Sequence, residues 1–265
     1  MNEYVPIIIQ ARCSSSRMPG KVMSDFAANM KMIQFQYRRL KLRFKTVIIA
    51  TSSETSDDRF SEFMNNNKMV HYRGPLKNVM RRISECMKYF ECTRNQKYFV
   101  RVGGDDPLIS PDGIDLAISD HIKNTKKDPK TAMTYTSYDG GMPYGCASEV
   151  FTVKLFNKCL EVTENQCSEE MKAEYLEHTK PAFMDKLLSS SNSLITSRAR
   201  VPMNWQSEMY LSVDYPEDFL VTAHIASNML NRYGMIYKHE DLIKFLSEYN
   251  QRLIINRNLH SGFGE

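Results

Sequence analysis

The sequence contains neither a long hydrophobic run nor a strong excess of charge of one sign. Its longest apolar run near the start covers residues 5–9 and is interrupted by Pro6. A membrane-spanning helix needs about 20 apolar residues, and a signal peptide also needs a longer apolar segment. The net charge is only +4, whereas a nucleic-acid-binding protein usually carries a dense basic stripe. We therefore expect a cytoplasmic protein that binds neither membranes nor nucleic acids.

Cysteine patterns of metal or redox sites are also absent. The six cysteines form no CxxC pair and show no zinc-ligand spacing. We predict free thiols in a reducing compartment, in agreement with the expected cytoplasmic location. The chain has no internal repeat, and the nucleotide-binding loop GxxxxGK followed by Ser or Thr is missing.

The composition is that of an ordinary folded domain. The chain has 265 residues, of which 42% are hydrophobic and 25% are charged, so one large domain, or one domain with an arm, is expected. Asp57 and Asp58 are expected to cap a helix. Four short apolar segments alternate with segments of helical spacing, and they cover residues 4–10, 46–51, 69–72 and 97–102. This alternation predicts a mainly parallel sheet with helices on both faces.

The second half of the chain is less regular. Residues 132–136 and 194–198 are predicted strands, and a charged helical region lies between them. We expect an insertion over roughly residues 135–190 that projects as an arm or packs against a partner subunit. Two helices are expected near the end, the first beginning at Pro216. The whole chain, residues 1–265, is thus predicted to be one α/β domain with a mixed sheet toward its far edge.

The segment QARCSSSRMPGK, residues 10–21, carries the most chemical information. It follows the first predicted strand, and α/β sheets bind ligands at the carboxyl ends of their strands. Small hydroxyl residues and Gly20 let backbone N–H groups approach phosphate oxygens. Arg12, Arg17 and Lys21 supply three cations. The combination favours a triphosphate site, and the alternative is an exposed basic loop.

Two aspartates are spaced so that they could share a metal ion. Asp105 follows the fourth predicted strand, and Asp214 follows the apolar stretch of residues 210–213. Carboxylates at separate strand ends can converge on one Mg²⁺, which prefers a few carboxylates together with phosphate oxygens. Each aspartate could instead begin a turn or cap a helix, because a proline follows two residues later.

An ordered set of motifs resembles a known enzyme family. The segments are IIIQARCSSSRMPGKVM, IIATSSETSDD, HYRGPLKNVMRR, VRVGGDDPLISP, GCASEVF, EYLEHTKP and LSVDYPEDF. In this order they are similar to the spore coat polysaccharide biosynthesis cytidylyltransferases, which belong with the CMP-KDO and CMP-sialic acid synthetases. The closing INRNLH resembles the tail of some longer members. The resemblance implies a Rossmann-like GT-A nucleotidyltransferase fold that forms a homodimer through an inserted arm.

The resemblance also implies roles for individual residues at the matching positions. Those that would cradle the phosphates of CTP are Arg12, Ser15, Ser16, Arg17 and Lys21. Arg73, Gly74 and Arg82 would lie near the nucleoside. Asp105 and Asp214 would hold magnesium. Glu149, Glu177 and His178 would face the acceptor sugar or a dimer contact. The catalytic candidates among them are Arg12, Lys21, Asp105 and Asp214.

The chain departs from the family pattern in two motifs. GDDPLISP stands where members typically read GDCPLIDP, so Asp106 and Ser110 are substitutions. The usual Gly-x-Asp-x-Glu-Val-Phe becomes a segment with Ala147 in place of the acid. This change removes a carboxylate near the acceptor pocket, so it concerns the identity of the acceptor more than the nucleotide chemistry.

The implied reaction is attack of an acceptor oxygen on the α-phosphorus of CTP, with pyrophosphate as the leaving group. The acceptor is expected to be an acidic or otherwise anionic sugar. Lys21 and Arg12 would neutralise phosphate charge, and magnesium on Asp105 and Asp214 would bridge the α-phosphate, because such transfers depend mainly on positioning and charge stabilisation.

Three alternatives stay open at this point. One is a nucleotidyltransferase that uses GTP, UTP or dTTP with a sugar 1-phosphate. Another is a GT-A glycosyltransferase, because a fold does not determine a function. The third is a non-catalytic homologue that acts as a binding subunit, which Ala147 suggests and the four catalytic candidates argue against.

Overall fold

A seven-stranded mixed sheet forms the centre of the molecule. The computed structural model describes residues 2–136, 141–166, 194–249 and 260. The strands in this part of the chain are β1 (Ile7–Gln10), β2 (Asp25–Ala27), β3 (Met30–Lys31), β4 (Val47–Ser52), β5 (His71–Gly74), β6 (Tyr98–Gly103), β7 (Thr131–Thr136), β8 (Glu149–Thr152) and β9 (Ile195–Ala199). The sheet order is β5–β4–β1–β6–β8–β7–β9, and β2 pairs with β3 in a separate hairpin. Within the described sheet, β8 alone runs antiparallel to its neighbours.

Helices connect most of the strands. The described α-helices are α1 (Met32–Lys41), α2 (Asp58–Asn66), α3 (Val79–Tyr89), α4 (Glu91–Arg94), α5 (Pro111–Lys127), α6 (Val153–Gln166), α7 (Pro216–Tyr233) and α8 (His239–Tyr249). Short 3-10 helices cover Asn2–Tyr4, Lys21–Met23, Thr55–Asp57 and Met203–Trp205. None of the helices in the described ranges combines the length and the apolar character that a membrane crossing requires.

The sheet is buried on both faces, and the central strand β1 carries three consecutive isoleucines, residues 7–9, that are fully buried. Ile7 and Ile9 of β1 pack in one cluster with residues of α1, α2, α5, α7 and α8. Ile8 points to the opposite face and packs in a second cluster with residues of α3 and α6. Successive side chains of a strand point to opposite faces, so an uninterrupted apolar run is what a sheet with two covered faces requires.

The predicted mainly parallel α/β sheet is confirmed, and the six predicted strands all occur within a few residues of their expected positions. The first strand begins at Ile7, after a 3-10 turn and Pro6, which has no N–H to donate to the sheet. The β2–β3 hairpin and β8 were not predicted. A strand of four residues followed directly by a helix is too short to show an alternating pattern of its own.

Three sequence expectations differ from the structure. Asp57 does not cap α2, because its carboxylate accepts hydrogen bonds from the end of β4 instead. The apolar stretch before Asp214 forms only an isolated bridge, between Tyr144 and Tyr210, and no strand. The expected insertion at residues 135–190 includes β8, which lies inside the sheet, so this part is not an arm. Residues 137–140 and 167–193 lie outside the described residues.

Candidate active site

A cleft of about 480 Å³ opens at the carboxyl ends of β1 and β6. Because these two strands are parallel neighbours, the loop after Gln10 and the turn after Gly103 meet at the same edge of the sheet. Since β8 runs in the opposite direction, its first residue, Glu149, lies at this edge as well. The sheet topology therefore brings distant chain segments to one cleft.

Nine of the predicted site residues line this cleft. They are Arg12, Ser15, Ser16, Arg17, Lys21, Arg82, Asp105, Glu149 and Asp214. Arg73 and Gly74 do not line it, and Glu177 and His178 lie outside the described residues. The predicted phosphate loop, both predicted metal ligands and one predicted acceptor residue are thus gathered in one place.

The ammonium group of Lys21 lies between the two predicted metal-binding carboxylates. Its Nζ is 3.2 Å from Oδ2 of Asp105 and 3.8 Å from Oδ1 of Asp214, and the side chain is only 8% exposed. It also donates a hydrogen bond to the carbonyl of Val213. Gly20 precedes it with a φ of 74°, a left-handed conformation that favours glycine. The alternative of an exposed basic loop therefore does not hold for Lys21.

Asp214 is held through both carboxylate oxygens and through its backbone. Arg17 Nη2 donates to Oδ1 at 2.7 Å, and the hydroxyl of Tyr210 donates to Oδ2 at 2.6 Å. Burial, followed by this hydrogen bond to Asp214, raises the pKa of Tyr210, so the hydroxyl stays protonated. The backbone N–H of Asp214 donates to Asp218 at 3.0 Å. The carboxylate that closes the first turn of α7 is thus that of Asp218, and Asp214 is left to face the cleft.

Asp105 and Asp214 form a donor set that fits magnesium. Both carboxylates approach a single point, now held by the ammonium of Lys21. In the described ranges, no group of three or more His, Cys, Asp or Glu side chains is arranged to hold a metal ion. Magnesium needs no third side chain, because it is usually bound through one or two carboxylates together with substrate phosphates and water.

Arg82 is a buried cation that forms no ion pair with a carboxylate in the described part of the chain. Its Nη1 donates to the carbonyls of Pro75 and Leu76 at 2.9 and 3.2 Å, and its Nε has no partner. Burial, followed by the charge of Arg12, lowers the pKa of Arg82 to about 10, so the guanidinium is still charged at neutral pH. Two guanidinium groups close enough to repel each other attract an anion between them.

Gly74 and Arg73 lie behind the cleft wall. A Cβ on Gly74 would be 2.9 Å from Cε1 of Tyr72 and 3.1 Å from Cγ of Arg82. The missing side chain therefore leaves space for Arg82. The guanidinium of Arg73 donates to Asp58 at 2.6 Å and to the carbonyl oxygens of Ser52 and Glu54 at 3.1 and 2.9 Å.

Glu149 is engaged by Arg101, a residue that sequence reasoning missed. Arg101 Nε and Nη2 donate to the two carboxylate oxygens at 2.6 and 2.9 Å, and Nη1 donates to Oε1 of Gln10 at 2.9 Å. Ala147 lines the same cleft. Because Glu149 is neutralised and Ala147 has no charge, these two residues add no net negative charge to the wall.

Asp106 and Ser148 are two further polar residues that line the cleft. Burial, followed by the charge of Asp105, raises the pKa of Asp106 above its ordinary value. The hydroxyl of Ser148 is buried at the cleft wall and has no hydrogen-bond partner within the described chain. An unpaired buried hydroxyl is a position at which a ligand can form a hydrogen bond.

Asp57 joins the predicted phosphate loop, residues 10–21, to the end of β4 through hydrogen bonds. Its Oδ1 accepts a hydrogen bond from the backbone N–H of Cys13 at 2.8 Å. Its Oδ2 accepts from Thr51 Oγ1 at 3.1 Å and from the backbone N–H and hydroxyl of Ser52. Asp57 is fully buried, so these bonds are shielded from water. Asp57 is visible in the motif IIATSSETSDD. From the sequence alone, however, a helix-capping role explains this aspartate equally well.

Known proteins resemble this chain in sequence and in fold. Residues 6–250 match the sequence model of the family described as Cytidylyltransferase. The spore coat polysaccharide biosynthesis protein SpsF of Bacillus subtilis is 27% identical over 183 residues, which cover 67% of this chain and 68% of that protein. The 3-deoxy-manno-octulosonate cytidylyltransferase of Francisella philomiragia is 32% identical over 114 residues, which are 43% of this chain and only 44% of that protein.

Two solved structures have the same fold. A cytidylyltransferase from Leptospira borgpetersenii superposes with a TM-score of 0.76 at 23% identity, covering 96% of this chain and 97% of its own. A CMP:2-keto-3-deoxy-manno-octonic acid synthetase complexed with CTP superposes with a TM-score of 0.56 at 17% identity, covering 85% and 99%. At these identities the likeness establishes the fold. Because the family match covers residues 6–250, the chain belongs to the cytidylyltransferase family and is a nucleotidyltransferase.

Proposed function

We propose that this enzyme transfers a cytidylyl group from CTP to an acidic or otherwise anionic sugar and releases pyrophosphate. One observation carries the proposal. A buried ammonium, Lys21, lies between two carboxylates in the cleft that Arg12 and Arg82 also line. Such an arrangement suits a ligand that is itself highly anionic and brings a divalent cation with it, as a nucleoside triphosphate does.

The reaction forms one bond and breaks one. An oxygen of the acceptor attacks the α-phosphorus of CTP, and the bond from this phosphorus to the bridging oxygen of the β-phosphate breaks. The leaving pyrophosphate keeps the bonding electron pair, and the acceptor hydroxyl proton passes to solvent or to a cleft carboxylate. Arg12, Arg17 and Lys21 hold the phosphates and offset their charge, since positioning and charge stabilisation dominate such transfers.

We further propose that Asp105 and Asp214 hold magnesium when CTP binds. The ion would neutralise phosphate charge and polarise the α-phosphate. The ammonium of Lys21 lies within 4 Å of both carboxylates, so it would keep them in place and contribute its own charge to the phosphates. Asp214 is also fixed by Arg17 and Tyr210, which limits the movement of its carboxylate.

The anionic character of the acceptor is supported by the charge of the cleft wall. Ala147 replaces an acid of the family pattern, and Glu149 is neutralised by Arg101. Both features reduce repulsion of a negatively charged sugar. One relative is named a 3-deoxy-manno-octulosonate cytidylyltransferase, and its named substrate is a sugar acid.

We also propose that the protein works as a homodimer in the cytoplasm. The five cysteines in the described ranges are free thiols, which suits a reducing compartment. The homodimer is proposed from the resemblance to the CMP-sugar synthetases. Light scattering coupled to gel filtration tests this, and a mass of 30.8 kDa would indicate a monomer and contradict the proposal.

The function is tested by measuring pyrophosphate release with magnesium from CTP, ATP, GTP, UTP and dTTP. The acceptor panel consists of sugar acids, each paired with its neutral carboxamide, together with sugar 1-phosphates. We expect release that depends on the acceptor, requires CTP and prefers the acid to its carboxamide. Release from another triphosphate with a sugar 1-phosphate, or sugar transfer without pyrophosphate, would contradict the proposal. Absence of CTP binding would do so as well.

A further inference from the structure

His260 lies outside the main helices and strands, yet it packs beside the candidate active site. Its imidazole is stacked on the ring of Tyr210, with ring centroids 3.5 Å apart and an angle of 13° between the planes. The other neighbour in this stack is Tyr144, whose ring centroid is 4.4 Å from that of Tyr210. The side chain of His260 is only 5% exposed. A polar ring at this depth requires a partner.

That partner is Asp218 in the first turn of α7. The Nε2 atom of His260 is 2.9 Å from Oδ1 of Asp218, which is completely buried. The other oxygen of Asp218 accepts hydrogen bonds from the backbone N–H groups of Asp214 and Tyr215, at 3.0 and 2.8 Å. Because the carboxylate accepts from all three groups, His260 and the backbone of Asp214 are joined through one side chain.

His260 is also joined to the carboxylate of Asp214. The hydroxyl of Tyr210 donates to Oδ2 of Asp214 at 2.6 Å, and the ring that carries this hydroxyl is covered by His260. The backbone and the side chain of one proposed metal ligand are therefore both set by groups that His260 contacts. Groups that orient metal ligands in this way affect metal affinity and activity although they do not touch the metal.

We propose that His260 is a positioning residue for Asp214 and thereby for magnesium-dependent binding of CTP. It acts through the ring of Tyr210 and through the carboxylate of Asp218. The proposal rests on the function proposed above, in which Asp214 holds magnesium. It gives His260, the last residue of the INRNLH motif, a role at the active site.

The test is calorimetric titration of CTP into the full-length protein, with magnesium and with EDTA. His260→Ala should weaken CTP binding in magnesium by about ten- to a hundredfold, the usual range for groups behind a metal ligand. Binding in EDTA should stay within about twofold, because Arg12, Arg82 and Lys21 are unchanged. His224→Ala is the matched control, since His224 is an exposed histidine of α7, and it should behave as the wild type.

Tyr210→Phe keeps the stacked ring and removes only the hydroxyl that Asp214 accepts from, so it is expected to fold even if His260→Ala does not. It should reproduce the loss of magnesium-dependent affinity. Wild-type magnesium dependence in either folded variant would overturn the proposal, as would an equal loss of affinity in EDTA. A failure of the proposed function is distinguishable, because the wild type itself would then bind no CTP in magnesium.

Discussion

Asp105 and Lys21 are joined by an ion pair although they lie 84 positions apart in the chain. Lys21 is almost completely buried, whereas the side chain of Asp105 is 39% exposed and can reach a ligand in the cleft. The charge of Lys21 keeps both aspartates at one point, and the aspartates in turn stabilise a buried ammonium. Substitutions of residues that line the cleft should therefore affect catalysis more than folding.

We predict that Asp105→Asn lowers turnover by about two to three decades, the typical loss for one electrostatic stabiliser of a transition state. The amide has no negative charge with which to hold magnesium. Pyrophosphate release under saturating CTP measures the effect. Asp25→Asn changes an exposed carboxylate of the β2–β3 hairpin and should leave turnover unchanged. Near wild-type turnover of Asp105→Asn would rule out its role as a metal ligand.

Arg82→Met should weaken CTP binding by roughly ten- to a hundredfold, because a hydrogen bond from a charged group is worth about 1.5–3 kcal/mol. The reason is that its buried guanidinium lines the cleft and, among the described residues, forms no ion pair with a carboxylate. Titration calorimetry measures the affinity. Arg38→Met, on the exposed side of α1, is the matched control. Unchanged affinity in Arg82→Met would mean that the phosphates bind elsewhere.

At the scale of secondary structure, the phosphate loop depends on the neighbouring connection after β4. The loop follows β1, which pairs with β4, and Asp57 bonds to both segments. A loop anchored in this way presents its N–H groups in one arrangement before the ligand arrives. Pre-organised donors of this kind reduce the cost of binding.

We predict that Asp57→Asn lowers the free energy of unfolding by about 1–3 kcal/mol, because an amide group cannot accept all the hydrogen bonds that the carboxylate accepts. CTP affinity should fall as well, since Cys13 would lose its anchor. Urea unfolding and calorimetry measure the two effects. The adjacent Asp58→Asn removes only a surface ion pair with Arg73, so it should cost less than about 1 kcal/mol. Equal effects of the two substitutions would contradict the anchoring role.

At the scale of the whole molecule, two buried histidines make stability depend on pH. His121 of α5 packs against β7 and β8, with its ring nitrogens 2.9 and 3.0 Å from the hydroxyl oxygens of Thr134 and Thr152. His239 begins α8 and contacts the carbonyl of Trp205 at 3.0 Å. Burial lowers the pKa of each histidine from 6.5 to about 4. The unfolded chain therefore binds these protons more readily than the native protein between pH 6.5 and 4.

Stability should consequently fall as the pH is lowered through this window, by about 2 kcal/mol per histidine between pH 7 and pH 5. Urea unfolding at the two pH values measures the loss. In His121→Gln the loss of stability between pH 7 and pH 5 should be smaller by about the contribution of one histidine. This holds whatever the substitution does to the stability at pH 7. His224→Gln, which changes an exposed histidine, should not reduce it. A pH dependence in His121→Gln identical to that of the wild type would show that His121 is not neutral in the native state.

Much of the fold could be predicted because it depends on local patterns. The strands around Ile8 and Ile48 contain uninterrupted apolar runs, residues 7–9 and 47–50, as a strand with two buried faces requires. The end of β6 could be placed because Gly104, Asp105 and Asp106 follow it directly. The strand β8 could not be predicted, because its antiparallel position between β6 and β7 is set by pairing with distant residues.

The sequence by itself determined the chemical character of this protein. It contains a predicted phosphate-binding loop after a buried strand, two aspartates that each follow an apolar segment, and the ordered motifs of a cytidylyltransferase. These features are visible because each depends on neighbouring residues. Only the tertiary structure decided that Lys21 lies between both aspartates, that Arg101 neutralises Glu149, and that His260 covers Tyr210. These contacts join residues far apart in the chain, and the order of strands in the sheet brings most of them together at one edge.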